Sequence, residues 1–363
     1  MAVGRHEKRR GLLLGIVLIL LVTGMATSRQ ANAEPSTNRP SHHTEDGFRN
    51  PWLEQNVRFG EFLKWRFGMG PDEKPVIPSE DVPEYTPAYA TVDMARIQAP
   101  DPKTLQITWI GHSTFLIQAG GLTILTDPQF SKRASPVGFA GPERQARVPI
   151  ALTNLPPVDL VLISHNHYDH LDTATIKTLG NAPRYVVPLK VGEWFNDLDI
   201  TNVIELDWWQ TAAYSNCVIH AVPAQHFSSR SMTDRNETLW CGYVIETGVG
   251  RVYFAGDTGY GPFFTEIGEK LGPMNVAMMP IGAYRPRWFM KPMHLDPPEA
   301  LQVHKDVRSR LSIGMHWGTF VLSDEPLGEP AVYLEKARKE AGVATNAFRL
   351  MKFGESITVS TEQ

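Results

Sequence analysis

The sequence predicts an α/β fold in which short buried strands end in loops that carry metal-binding side chains. Two observations predict it. The first is the run Val158-Asp159-Leu160-Val161-Leu162-Ile163, apolar in the manner of a buried strand, then Ser164-His165-Asn166-His167-Tyr168-Asp169-His170, then Leu171-Asp172-Thr173-Ala174-Thr175-Ile176, a helix start with Asp or Thr as cap. The second is that three later strand-like runs also end in ligand-type residues: His226 follows residues 218–222, Asp257 follows 251–253 and His316 follows 311–314. Loops that leave strand ends in this way gather at one rim of a sheet. Charged residues make up 20% of the 363 and hydrophobic ones 42%, as in an ordinary folded enzyme. A net charge of -4 with no basic stripe gives no reason to expect a nucleic-acid partner.

The first 33 residues read as an export signal. Arg5, Lys8, Arg9 and Arg10 precede an uncharged apolar stretch, and Ala31-Asn32-Ala33 offers a cleavage site. That stretch falls short of the ~20 residues that span a bilayer comfortably. An uncleaved anchor facing outward is the alternative, so the enzyme is expected to be periplasmic or secreted. Residues 34–47 are polar and expected to be disordered. Between Pro51 and Met69, apolar Trp52, Leu53, Val57, Phe62, Leu63 and Phe67 alternate at near-helical spacing with Arg58, Lys64 and Arg66. Such a helix either lies on a membrane or docks on the catalytic domain. Residues 71–102 form a Pro-rich linker, and residues 104–363 the catalytic domain.

Within that domain, residues 105–117 and 122–125 read as strands joined at Ala119-Gly120-Gly121. Asp296-Pro297-Pro298-Glu299 opens one helix, and Pro330 another over 331–340. Cys217 and Cys241 form either one disulfide or two buried thiols.

Three histidines and an aspartate within six positions are imidazole and carboxylate ligands of the kind that bind zinc or a similar first-row metal. So many ligands cannot easily reach one ion, and the spacing therefore predicts two. Alternation sets His165 and His167 to one side and Asp169 and His170 to the other. A water held between two such ions is nucleophilic near neutral pH, and the ions can grip phosphoryl oxygens.

This pattern resembles the metallo-β-lactamase superfamily, which implies an αβ/βα sandwich of two mixed sheets flanked by helices. Carried over by position, His165, His167 and His226 would bind one zinc and Asp169, His170 and His316 the other, with Asp257 bridging. β-Lactamases proper carry cysteine at that place, whereas a bridging carboxylate fits branches that hydrolyse phosphodiesters, thioesters or lactones. Residues that bind no metal narrow the resemblance. Trp109-Ile110-Gly111-His112-Ser113-Thr114, Leu125-Thr126-Asp127-Pro128, Leu206-Asp207-Trp208-Trp209, Ala255-Gly256-Asp257-Thr258-Gly259-Tyr260 and His316-Trp317-Gly318-Thr319-Phe320 look like the N-acyl-phosphatidylethanolamine-hydrolysing phospholipase D family. The likeness runs from about Phe48 to Ser356. It implies release of N-acylethanolamine from a phospholipid, leaving phosphatidic acid, by attack of a metal-bound hydroxide.

The resemblance also assigns roles. Asp257, Asp169 and His294 form the expected catalytic set, with His294 near the substrate phosphate or, alternatively, a helix-capping or ligand-supporting histidine. Asp127, and with it His112, orients a ligand rather than binding metal. Tyr168, Gln225, Trp288, Phe289 and Met290 are the expected substrate contacts, the last three as an acyl-chain lip or as core. A peripheral membrane association and a homodimer are implied as well. Two other readings stay open: a lactonase or small-ester hydrolase using the same metals, and a lipid-binding protein of low turnover.

Overall fold

The computed structural model describes residues 39–53 and 59–360. The export-signal reading of residues 1–33 lies outside the described residues. Ser41–Gln363 make one compact unit. Among the described residues, no helix is long and apolar enough to cross a membrane.

Two seven-stranded mixed sheets face each other. The first holds β1 (Leu105–Gly111), β2 (Thr114–Ala119), β3 (Leu122–Thr126), β4 (Leu160–Leu162), β5 (Arg184–Pro188) and β6 (Val203–Leu206) in that order. The second holds β7 (Thr211–Tyr214), β8 (Cys217–Val222), β9 (Gly242–Thr247), β10 (Gly250–Phe254), β11 (Met274–Pro280), β12 (Ser309–Met315) and β13 (Phe348–Arg349), also in sequence order. The last strand, β14 (Ser356–Val359), returns to the first sheet beside β1. In both sheets the early strands pair antiparallel and the later ones parallel.

Side-chain alternation explains the sandwich. Phe115, Ile117 and Ile124 point into the shared core with Ile219, Tyr243, Val252 and Phe254. Their neighbours Leu116, Leu125, Val161 and Tyr185 face the other way. There they meet Ile176 of α3 (Thr173–Leu179) and Phe195 of α4 (Gly192–Asn196). Strands covered on both faces read as continuous apolar runs, which is why residues 158–163 lack a two-residue period. On the second sheet, α7 (Pro297–Asp306) packs on β11 and β12 and against α5 (Phe263–Leu271) and α8 (Glu329–Glu340). The Asp296–Glu299 pair forms a capping box at the start of α7. The preceding helices are α1 (Phe59–Arg66), α2 (Met94–Gln98) and, before α7, the short α6 (Arg287–Met290).

Two expectations change, and two open alternatives are decided. The strand expected over residues 105–117 is two strands with a tight turn at His112-Ser113. Gly111 (φ 137°) and His112 (φ 53°) reverse the chain there. Residues 41–47, expected to be disordered, are anchored: His42 and His43 each place Nε2 on the Asp207 carboxylate, at 2.6 and 2.8 Å. Polar composition hid a segment that is held by hydrogen bonds and by stacking of the His42 ring on Trp208. The helix expected between Pro51 and Met69 is described only as α1, and it docks, with Trp65 stacked on Phe289 of α6 at 5.1 Å. Cys217 and Cys241 are buried free thiols.

Candidate metal centre

The rim where β4, β8, β10 and β12 end collects every residue expected to bind metal. His165, His167 and His226 offer ring nitrogens within 4.8 Å of one another, and His112, Asp169, His170 and His316 form a second such group of ring nitrogens and a carboxylate oxygen. Between the groups stands Asp257. Its Oδ2 lies 3.0 Å from His316 Nε2, 3.3 Å from His170 Nε2 and 3.9 Å from His226 Nε2.

Backbone conformation aims these side chains. His112 (φ 53°), Asp127 (φ 35°) and His316 (φ 59°) all leave their strands through the left-handed region. Non-glycine residues hold that conformation only when their surroundings enforce it, at a cost of about 1 kcal/mol or more each. Gly256 (φ 62°) does the same before Asp257, and a Cβ there would meet Ser164 Cβ at 2.7 Å.

Hydrogen bonds then fix the rings. Asp127 is fully buried and accepts from Ser164 N (2.7 Å), Ser164 Oγ (2.6 Å) and His170 Nδ1 (2.6 Å). Its oxygens are spent on these donors, so it orients His170 and leaves that ring's Nε2 facing the centre. His165 Nδ1 lies 2.9 Å from Ser164 Oγ, and His226 Nδ1 lies 3.0 Å from the Met293 carbonyl. Both therefore turn Nε2 inward. His112 Nε2 sits 2.9 Å from Asp169 Oδ2, so it holds a carboxylate of the second group.

The donor chemistry fits divalent metal. Burial, with neighbouring histidines adding to it, lowers His165 well below its ordinary pKa. Burial likewise lowers His226 to about 3 and His167 to about 4, against the pull of nearby carboxylates. These rings are neutral at pH 7, as ligands must be. Burial would raise Asp257, but the charges of His170 and His316 hold it well below the carboxylate range. Burial also opposes Asp169's ionisation, and His170, His112 and His316 overcome it. In return, Asp257 and its neighbours outweigh burial at His316 and raise it to about 9. The buried Asp257 and the half-buried Asp169 thus draw positive charge to this spot. His170 Nε2 and Asp257 Oδ1 are buried with no hydrogen-bond partner, which suits atoms reserved for a cation.

A cavity of about 670 Å³ opens onto this cluster. Its wall is mainly apolar, from Phe62, Trp65, Phe227, Phe289, Met290 and Met293, and includes His294 and Arg235. His294 is buried, with Nδ1 3.9 Å from Asp257 Oδ2 and no hydrogen-bond partner on that atom.

Of the expected substrate contacts, only Phe289 and Met290 line this cavity. Successive helical residues point about 100° apart, so three in a row cannot share one wall. Trp288 instead covers Gly70. Tyr168 donates to the Arg230 carbonyl under that residue's guanidinium. Gln225 donates to the carbonyls of Pro292 and Tyr260, which braces the loop before His294. Sequence reasoning did not place Phe62, Trp65, Phe227, Arg235 or Met293 on this wall. Phe227 beside the ligand His226, Met293 beside His294 and the helical spacing of Phe62 carried local signals.

Comparison with known proteins agrees with this geometry. The model of the beta-lactamase superfamily domain matches residues 123–317. N-acyl-phosphatidylethanolamine-hydrolyzing phospholipase D 1 of Caenorhabditis elegans is 42% identical over 245 residues, covering 64% of this chain and 67% of that one. The mitochondrial N-acyl-phosphatidylethanolamine-hydrolyzing phospholipase D of Saccharomyces cerevisiae is 38% identical over 244 residues, covering 65% of this chain and 52% of that one. The chain thus spans about half to two thirds of the length of these relatives. A metallo hydrolase from the archaeon Ignicoccus hospitalis shares the fold, with a TM-score of 0.53 at 23% identity over 71% of this chain and 100% of that one.

Proposed function

Because this chain belongs to the metallo-β-lactamase superfamily and, within it, to the family of N-acyl-phosphatidylethanolamine-hydrolysing phospholipases D, we propose that it is a two-zinc phosphodiesterase acting on N-acyl-phosphatidylethanolamine-like phospholipids. The products are N-acylethanolamine and phosphatidic acid. One observation carries this reading: an apolar cavity large enough for an acyl chain opens directly onto the His/Asp cluster.

His165, His167 and His226 would hold one ion and Asp169, His170 and His316 the other, with Asp257 reaching both. Bound there, the ions would supply Lewis acidity toward the phosphoryl oxygens and a nucleophile at neutral pH. The chain's own residues do the rest. Asp127 and His112 keep His170 and Asp169 aimed. Phe289, Met290 and Met293 exclude water beside the reacting bond. Burial, only partly offset by Asp257, holds His294 well below its ordinary pKa. It therefore meets the substrate as a neutral imidazole and gives an N–H hydrogen bond to a phosphate or departing oxygen. The Met290 carbonyl fixes its backbone N–H, and Arg287 grips its carbonyl at 2.9 Å.

Peripheral attachment to a lipid surface belongs to the same proposal. Phe62 and Met232 line the cavity and are 40% and 79% exposed, and Phe67 and Met69 on the same N-terminal segment are exposed as well. Such apolar side chains at a cavity mouth suit entry of a chain from a bilayer. A homodimer is also proposed, on the family likeness alone.

The test is incubation of the zinc-loaded chain from Glu34 onward with N-acyl-phosphatidylethanolamine in mixed micelles, with products identified by mass spectrometry. N-acylethanolamine and phosphatidic acid should form, and formation should cease in His165→Ala. A wild-type chain with its metals bound that cleaves lactones but no phosphodiester would replace this reading with the small-ester one. Uptake of the lipid without multiple turnovers would make it a binding protein.

A further inference from the structure

We propose that His42, His43 and Asp207 form a further metal site, apart from the catalytic centre, which takes one divalent first-row ion and clips the N-terminal segment to the turn between the two sheets. The inference is independent of the phospholipid reading. Among the described residues, several groupings of His and Asp bring ligand atoms within 4.8 Å of one another, and this one alone shares no member with the centre described above. Asp207 lies in the turn from β6 to β7, where the chain passes from the first sheet to the second.

Adjacent residues ordinarily point apart, by about 100° on a helix and to opposite faces on a strand. Here a turn brings both rings to one side, with centroids 4.6 Å apart and planes at 75°. The His42 ring stacks on Trp208 at 4.1 Å, and the His43 ring stands edge-on to Phe48 at 5.0 Å. These contacts hold the rings and leave both Nε2 atoms aimed at one carboxylate, His42 2.6 Å from Asp207 Oδ1 and His43 2.8 Å from Oδ2. Ligands of the catalytic centre have similar spacing, 2.8 Å between His165 Nε2 and His167 Nδ1 and 3.2 Å between His170 Nε2 and Asp169 Oδ2. Asp207 is itself fixed, since its Oδ1 accepts from Trp208 N at 2.8 Å and its own N–H donates to Gln210 Oε1 at 2.9 Å. Outer hydrogen bonds of this kind orient metal-ligating carboxylates.

Two imidazoles and a carboxylate are a ligand set for zinc and its neighbours in the first row. Burial would raise Asp207, but His42 and His43 bring it below its ordinary pKa, so it offers a charged oxygen. Without metal, each ring donates its Nε2–H to that carboxylate. On binding, each neutral ring carries its proton on Nδ1 instead and gives the Nε2 lone pair to the ion. The His43 and Asp207 side chains are 24% and 13% exposed, so water can complete the ion's shell. The clip also bears on the catalytic centre. Beyond it the chain pairs His43 with Phe48, and Phe48 N donates to the Asn236 carbonyl at 2.8 Å. Asn50 then holds both backbone groups of the ligand His226, its Nδ2 2.7 Å from the carbonyl and its Oδ1 3.2 Å from the N–H. An ion at residues 42 and 43 thus secures the segment that braces His226.

The experiment follows tryptic cleavage after the exposed Arg49 in wild type, in His43→Gln and in His165→Ala, which removes a catalytic ligand alone. Cleavage there tracks the fraction of time the segment is open. Free zinc at ten times the concentration that halves the wild-type rate should slow cleavage about tenfold, by mass action. His165→Ala should respond as the wild type does, and His43→Gln should not respond. Slowing that is absent from the wild type, persists in His43→Gln or vanishes in His165→Ala would overturn the site. Because glutamine at 43 also removes a hydrogen bond to Asp207, a second measurement reads the ion itself. Anomalous diffraction at the zinc edge, from zinc-loaded wild-type crystals, should place a peak about 2.0–2.2 Å from His42 Nε2, His43 Nε2 and an Asp207 oxygen. No peak at that place would overturn the proposal while leaving phospholipid cleavage untouched.

Discussion

Asp127→Asn should strip metal from the second ligand group while leaving the fold in place. The wild-type carboxylate accepts two hydrogen bonds from Ser164 and one, at 2.6 Å, from His170 Nδ1. Asparagine keeps the shape and can still accept from Ser164 N on its Oδ1. Its amide nitrogen would then stand where Oδ2 accepted, opposing donor to donor at His170. The ring relieves this by moving its proton to Nε2, the atom that faces the centre, and so stops being a ligand. Loss of a group that orients a metal ligand costs about 10- to 100-fold in affinity, or about 1.4–2.7 kcal/mol. Fold stability should move much less, because two effects oppose. Hydrogen bonds to a charged acceptor are lost, but so is the cost of burying a carboxylate, which burial holds above its ordinary pKa. The assay is competition for zinc against a chromophoric chelator, with metal content by plasma mass spectrometry and urea unfolding in parallel. An Asp127→Asn chain that holds two zincs with wild-type affinity would refute the reasoning.

Three further outcomes follow from the same geometry. Gly256→Ala should lose at least about 1–3 kcal/mol in urea unfolding and also lose turnover, because a Cβ 3.0 Å from the Cys241 carbonyl and a φ of 62° leave it no unstrained place; wild-type behaviour in both would show the turn to be slack. Phe289→Ala removes a ring stacked on Trp65 in a cluster outside the main core, so it should cost about 3 kcal/mol and raise KM for long-chain substrates more than for a soluble short-chain phosphodiester, and an equal rise for both would contradict the wall assignment. Asp207→Asn tests the anchoring of residues 41–47 through pH: burial alone would raise Asp207, but His42 and His43 hold it below its ordinary pKa. A depressed carboxylate contributes stability above its unfolded value near about 3.9 and loses it as pH falls through the folded value. The variant should be less stable at pH 7 and lose less between about pH 4 and pH 2, whereas parallel urea midpoints across that range would show that the pair contributes nothing.

The metal cluster was legible because its chemistry is local. His165, His167, Asp169 and His170 lie within one loop, and His226, Asp257 and His316 each stand just past a strand, where topology must bring them to the same rim. The two sheets were legible from the family pattern and from runs whose burial on both faces shows as unbroken hydrophobicity. That same double burial hid the His112 turn, since no alternation marked where residues 105–117 reverse. The cavity wall was illegible for another reason. Phe62, Phe227, Arg235 and Phe289 come from separate segments, and only tertiary packing makes them neighbours. Trp288 adjoins Phe289 in sequence but packs over Gly70, because adjacency in sequence is not adjacency on a helix face.

The most direct test of the central claim is hydrolysis of N-acyl-phosphatidylethanolamine by the zinc-loaded chain in water enriched in oxygen-18. Attack at phosphorus by water predicts one heavy oxygen in the phosphatidic acid and none in the N-acylethanolamine. Heavy oxygen in the alcohol product, or in a freed fatty acid, would contradict a phosphodiesterase centred on Asp257.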